Sequence, residues 1–211
     1  SVNTTVIAAD AGHFSIVKGT TGGSGATFGH GLGAAPDLII NKDLASAGWL
    51  VYSSVFDSAD NYMQLNATNS VFTGSTVWGT DATATVFTLG SFFNTVECIN
   101  YCFRSVAGVC KVGSYIGNGS ATAPPYVSVG FKPSWVMIKN ATVAKDWVIV
   151  DTARTPINTA EKFLFPNLDI AEAARGTSSG SDYDIDLLAD GFRPLTGDSA
   201  PNGSGNTILY M

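Results

Sequence analysis

One ten-residue pattern occurs twice in this chain, and no other feature limits its fold as strongly, because an internal repeat makes the fold an array of like units. Gly33-Ala34-Ala35-Pro36-Asp37-Leu38-Ile39-Ile40-Asn41-Lys42 returns 97 positions later as Gly130-Phe131-Lys132-Pro133-Ser134-Trp135-Val136-Met137-Ile138-Lys139. The Gly, the Pro, the apolar triplet and the Lys all keep their places. Further on, Trp49-Leu50-Val51-Tyr52 answers to Trp147-Val148-Ile149-Val150, now offset by 98, one residue of loop slippage. Upstream, residues 14–26 match 110–121 more loosely. The 211 residues therefore divide into an N-terminal segment, 1–13, a first module, 14–104, and a second, 105–211.

Within each copy the apolar runs are short, β-branched or aromatic, and separated by Gly/Asn/Asp/Ser clusters, which predicts an all-β fold. The expectation is two tandem antiparallel β-sandwich modules of jelly-roll or lectin-like type with minimal helix. Strands are predicted at 38–41, 49–53, 71–73, 85–89 and 97–103, then at 127–129, 135–139, 147–151, 163–165, 181–188 and 206–211. Only Leu168–Arg175 has apolar positions at helical spacing, with Gly176 as a stop, and it makes two turns at most. The Gly-x-x-Pro before each central strand is a turn, since Pro presets φ and cannot donate in a ladder.

Charged residues make up 13% of the chain and the net charge is −6, which argues against a nucleic-acid surface, whose affinity comes from clustered Lys and Arg. No apolar run reaches the ~20 residues of a membrane helix, and residues 1–5 have neither a basic start nor a hydrophobic signal region. The chain has no initiator Met and stops on the apolar run 208–211, as a processed chain or an excerpt would. Cys98, Cys102 and Cys110 lack a C-x-x-C pair and are read as free thiols. Cys98 and Cys102 would stand ~13 Å apart along a strand, too far to bridge. Five Asn-x-Ser/Thr triplets, from Asn3, Asn66, Asn118, Asn140 and Asn202, carry no weight in a chain this rich in those residues.

Catalytic signatures are weak. His13 and His30 each lie beside Gly in loop-like stretches, and no G-x-S-x-G elbow precedes a helix. Gly22-Gly23-Ser24-Gly25 lacks the Lys-Ser/Thr of a phosphate loop. No enzyme and no cofactor is expected. Asp182, Asp184 and Asp186 alternate with Tyr183, Ile185 and Leu187, the polar-out pattern of a half-buried strand. Calcium is the weaker reading of these aspartates, because Leu187 stands where a calcium loop needs Gly and no Glu closes it. Asp57, Asp60 and Asp198 read as turn formers.

Aromatic residues are the better route to function, since exposed Trp and Tyr rings can stack on sugar faces. Trp49 and Trp147 hold equivalent places in apolar runs and are assigned to the core. Trp78, in the polar stretch Ser75–Thr80 and without a counterpart in the second copy, is the first candidate for an exposed platform. Tyr126, after Ala123-Pro124-Pro125, and Tyr62 follow, each with core or subunit packing as the alternative.

Several separated segments, residues 101–120, 130–139, 147–154 (Trp147 to Arg154), 165–167, Ala189-Asp190-Gly191-Phe192 and 205–211, resemble repeated β modules of tailed-bacteriophage virion proteins. The resemblance is close over about 95–211 and looser over 14–95, where no Asp-Gly-Phe segment occurs. It implies a non-enzymatic virion protein on the particle exterior, most simply a tail-fibre or receptor-binding component that contacts host-surface glycans. The implied partners are other virion proteins and that glycan, and the implied assembly is a homotrimer, with avidity multiplying weak sites. The alternatives are a capsid decoration or neck protein without glycan binding, and a free carbohydrate-binding domain.

Overall fold

The computed structural model of the chain describes residues 2–23, 25–45, 48–175 and 183–211. Its contacts separate two compact units, one formed by residues 1–65 and 71–112, the other by 66–70 and 113–211. Both are all-β. In the first unit the strands are β1 (Thr4–Ala8), β2 (Phe14–Thr20), β3 (Ala26–Gly29), β4 (Leu38–Asp43), β5 (Trp49–Ser53), β6 (Asn61–Gln64), β7 (Phe72–Thr73), β8 (Trp78–Thr80), β9 (Val86–Leu89) and β10 (Glu97–Phe103). The second unit continues with β11 (Gly113–Ile116), β12 (Val127–Ser128), β13 (Trp135–Asn140), β14 (Val148–Asp151), β15 (Lys162–Phe163), β16 (Ala173–Ala174), β17 (Ile185–Leu188), β18 (Gly191–Pro194), a one-turn helix α1 (Ser199–Asn202) and β19 (Thr207–Tyr210).

The first unit is a two-layer sandwich. A seven-stranded antiparallel sheet in the order β1-β2-β10-β4-β5-β6-β7 packs against a three-stranded sheet, β3-β9-β8. Alternation makes this possible: along β10, Cys98, Asn100 and Cys102 are buried while the residues between them are not. One cluster joins Val17, Ile39, Tyr52 and Cys102 of the large sheet to Phe28, Trp78 and Phe87 of the small one. Phe28 and Phe87 stack at 5.3 Å, and burial of each such ring is worth about 1.5–3 kcal/mol. The buried Asn41 donates to Asn100 Oδ1 at 2.7 Å, and Asn100 Nδ2 donates to the Val17 carbonyl at 3.3 Å. That chain of amides crosses β4, β10 and β2 and fixes their register, because a slip would leave buried polar groups unpaired.

The second unit repeats the path. Its four-stranded sheet runs β11-β19-β13-β14 and its three-stranded sheet β12-β18-β17, matching β2-β10-β4-β5 and β3-β9-β8 strand for strand. The Gly-x-x-Pro turns show why glycine opens both copies: Gly33 and Gly130 adopt φ of 74° and 85°, the left-handed region that other residues avoid. The interiors differ. Where Asn41 faces Asn100, the second unit sets Ile138 against Tyr210, whose ring packs at 5.3 Å from Phe192.

The conserved-looking Lys–Trp pair also takes two forms. Lys42 stands opposite Trp49 in the ladder, with its ammonium 5.7 Å from the ring centroid, and both are half-buried. Lys139 and Trp147 are fully buried. The Lys139 ammonium donates to the carbonyls of Thr68 at 3.1 Å and Asn140 at 2.8 Å. Thr68 also accepts from the Lys145 amide at 2.9 Å, so residues 66–70 are bound into the second unit by a buried cation and a backbone bond.

Two expectations are corrected. Leu168–Arg175 forms no helix: Ala173–Ala174 is a strand paired with Lys162–Phe163, and the Arg175 amide donates to the Glu161 carbonyl at 2.8 Å. Eight residues nucleate a helix poorly, whereas the strand buries Ala173 beside Phe163 in the core. The helix lies instead at Ser199–Asn202, capped by Asp198, whose carboxylate accepts from the Ala200 amide at 2.7 Å. The N-terminal segment, set apart from the first module as residues 1–13, supplies a strand of that unit's large sheet, since Thr4–Ala8 pairs along its whole length with Ser15–Gly19 of β2.

Burial pushes the Lys139 ammonium down to about 8 from the 10.5 of a free lysine, partly countered by Asp146. A lowered amine pKa means that the unfolded chain holds the proton more tightly, so this group's contribution to stability rises as pH climbs from about 8 to about 10.5. The difference in unfolding free energy between wild type and Lys139→Met should therefore move in favour of the wild type by about 1.4 kcal/mol per pH unit in that window. Paired denaturant titrations at each pH check this, because the cysteines and tyrosines that titrate nearby are common to both proteins; a constant difference would contradict it.

Candidate functional site

The second unit's smaller sheet brings an exposed tyrosine and an exposed aspartate together with a half-buried arginine. Pro124 and Pro125 deliver Tyr126 to the start of β12, which pairs with β18 through Val127↔Phe192 and Ser128↔Gly191. β17 and β18 form a hairpin whose two-residue turn is Ala189-Asp190. Gly191 follows because the strands come too close there for any side chain: a Cβ on Gly191 would run into the Val127 carbonyl oxygen. The turn is anchored from the other side, since the Asp190 carbonyl accepts from the amides of Val129 at 2.8 Å and Gly130 at 3.0 Å.

That anchoring sets three side chains together. The Tyr126 hydroxyl donates to the Asp190 carboxylate, and the Arg193 guanidinium sits 5.8 Å from the Tyr126 ring centroid. Arg193 is the ladder partner of Asp186. Tyr126 is 42% exposed. Its phenol is held above the ordinary tyrosine pKa, first by the hydrogen bond to Asp190, then by desolvation and the aspartate charge, so it remains a neutral donor at physiological pH. An aromatic surface bordered by a carboxylate acceptor and a guanidinium donor suits a ligand with one apolar face and a rim of hydroxyls.

The other sequence candidates fall elsewhere. Trp78 is 1% exposed and corrects the platform reading: it opens β8 with its side chain turned inward, edge-on to Tyr52 at 5.6 Å and 6.5 Å from Phe93. Its polar neighbours are the turn and the outward face of the same short strand. Tyr62 is half-buried against the first unit's core and stacks on Phe72 at 5.4 Å, which covers one face of its ring. Asp182 lies outside the described residues. Asp184 is held by Arg175 Nε at 3.1 Å, and Ile185 and Leu187 point into the core as alternation requires. Among the described residues no three His, Cys, Asp or Glu side chains converge.

His30 is a structural residue. Its Nδ1 accepts from the Leu32 amide at 3.2 Å and its Nε2 lies 3.1 Å from the Thr83 carbonyl, while burial lowers its pKa. Cys98, Cys102 and Cys110 are free thiols, and burial pushes Cys98 up to about 11 and Cys102 up to about 12. Such thiols stay protonated at neutral pH. Asp190 and Arg193 are the members of this group that the sequence analysis did not single out as site candidates. The signal was present: pairing backward from Asp190-Gly191 sets Arg193 opposite Asp186 and beside the turn.

The fold and this site define a two-unit all-β chain with one surface tyrosine set beside an aspartate and an arginine. The chain belongs to the DUF7483 family, a domain of unknown function whose model matches residues 1–211. No curated protein and no solved structure matches it. Among the described residues no helix is long and apolar enough to cross a membrane.

Replacing Trp78 by Ala should destabilise the first unit by about 3–5 kcal/mol, the cost of emptying a buried indole site. Urea denaturation followed by fluorescence of the remaining tryptophans tests this, and a change below about 1 kcal/mol would return Trp78 to the surface.

Proposed function

We propose that the chain is a non-catalytic structural module on the exterior of a tailed-phage particle, attaching it to host-surface glycan through Tyr126, Asp190 and Arg193. The observation that carries this reading is the exposed Tyr126 ring, held by Asp190 on a turn that Gly191 and two backbone bonds anchor. The resemblance of residues 101–120, 130–139 and 189–192 to phage virion modules supports the setting. The low charge and paired β-sandwich units suit a durable particle component, in which a weak site per chain gains through multiplicity.

Purified protein should bind polysaccharide from the host cell surface weakly, and Tyr126→Ala should lower that affinity by about tenfold or more, the loss of one stacking contact worth roughly 1.4 kcal/mol. Tyr126→Phe, which keeps the ring and removes the hydroxyl, should retain part of the binding. Isothermal titration or surface plasmon resonance reads both. Binding that is indifferent to Tyr126 would overturn the assignment, and a particle protein that binds no glycan would favour a decoration or neck role.

A further inference from the structure

β1 is a fully formed strand with one free edge. It pairs with β2 over all five residues, Thr4↔Gly19 to Ala8↔Ser15, and no described strand forms a ladder on the other side of Thr4–Ala8; just ahead of it the Val2 amide donates to the Thr27 carbonyl of β3 at 3.1 Å, which ends the free edge at Thr4. Edges of this kind are templates for another strand and are usually blunted by charge, Pro, a bulge or short length. Thr4-Thr5-Val6-Ile7-Ala8 has none of these. The opposite edge of the same sheet, β7, is two residues long, and β8, an edge of the smaller sheet, carries a register shift. Ile7 is 68% exposed, and Thr5, Val6 and Ala8 are exposed too.

The hydrogen-bond phase shows what the free edge offers. The Ala9 amide donates to the Phe14 carbonyl at 2.9 Å in the same register as β1 and β2. Hydrogen-bonded pairs alternate along an antiparallel ladder, so Ile7 and Thr5 spend their backbone groups on Ile16 and Lys18. The bond from the Thr21 amide to the Val96 carbonyl at 2.8 Å gives the same phase from the β10 side of β2. Thr4, Val6 and Ala8 therefore turn their N–H and C=O groups outward, a set symmetric about Val6. Lys18, the ladder partner of Thr5, already pairs with Glu97 at 2.9 Å, and Thr4–Ala8 itself carries no charge.

We propose that β1 is a homotypic assembly edge, pairing antiparallel with β1 of a second copy of this chain about a two-fold axis at Val6. Val6 then faces Val6 and Thr4 faces Ala8 in hydrogen-bonded pairs, giving six inter-chain bonds, while Thr5 faces Ile7 in the closer non-bonded pairs. The contact is isologous and closes at two chains. It is small, so association is weak and concentration-dependent. The inference stands apart from the glycan reading, since neither Tyr126 nor its neighbours take part.

Light scattering after size exclusion, on the full chain at about 10 µM to about 1 mM, spans the range of such contacts. The mass of the wild type should rise from 21.9 kDa towards twice that value. Val6→Pro removes an outward amide without touching the ladder to β2 and should stay at the single-chain mass while keeping the wild-type circular dichroism spectrum and melting point. A Thr5→Cys/Ile7→Cys double variant tests the register independently, because the two thiols meet across the axis and should form an inter-chain disulfide on oxidation. A wild type that keeps the single-chain mass throughout, a mass that passes two chains, Val6→Pro protein that associates like wild type, or the absence of the cross-link would each overturn the proposal.

Discussion

Each unit is closed by its own last strand. β10 enters between β2 and β4, and β19 between β11 and β13, so the centre of each large sheet is built from residues far apart in the chain. Until that strand is in place, the strands on either side have no ladder partner between them and the core has no continuous wall. In the first unit the closure is specified by a polar device, the amide chain from Asn41 through Asn100 to Val17. In the second it is specified by rings, with Tyr210 seated among Phe192, Tyr115 and Ile138. A buried polar pair costs desolvation and enforces register, whereas apolar packing stabilises more and discriminates less between slipped alternatives.

The candidate site hangs on that closure. Phe192 packs against Tyr210 of the closing strand and pairs with Val127, so the strand that completes the large sheet also seats β18, and β18 carries Gly191, Asp190 and Arg193 into place beside Tyr126. Packing and backbone bonds hold this surface group in place. A rigid aromatic loses little conformational freedom on binding, which matters most where each contact is weak.

Much of the fold was legible because the repeat carries its own physical reasons. The Gly at the left-handed turn, the Pro before the strand and the apolar run after it are each required by backbone geometry, and they recur together. Eleven strands were legible as short β-branched or aromatic runs between turn clusters, whereas β1, β2, β3, β6, β8, β11, β16 and β18 were not predicted. Side-chain exposure was less legible. Trp78 is flanked by Ser75, Thr76 and Thr80, and the turn before it and the register shift between Trp78 and Thr80 break the two-residue period, so an inward side chain sits among outward polar ones. Leu168–Arg175 has helical spacing, yet which of two patterns a short run obeys depends on the strand it meets, here Lys162–Phe163. Lys139 is indistinguishable in sequence from Lys42, because its burial depends on residues 66–70, which sit about 70 positions away in the chain. Tyr126 could be named from its proline-rich approach, but its partners required knowing how the Asp-Gly turn folds back.

Amide hydrogen exchange on the intact protein tests the closing-strand architecture most directly, since protection reports how far each strand must open before it exchanges. The amides of Cys98–Phe103 and Ile208–Tyr210 should be among the slowest in their units, slower than those of β7 and β11 at the sheet edges. Closing strands that exchange as fast as the edges would contradict the account, because a strand held between two neighbours cannot open without dismantling the sheet around it.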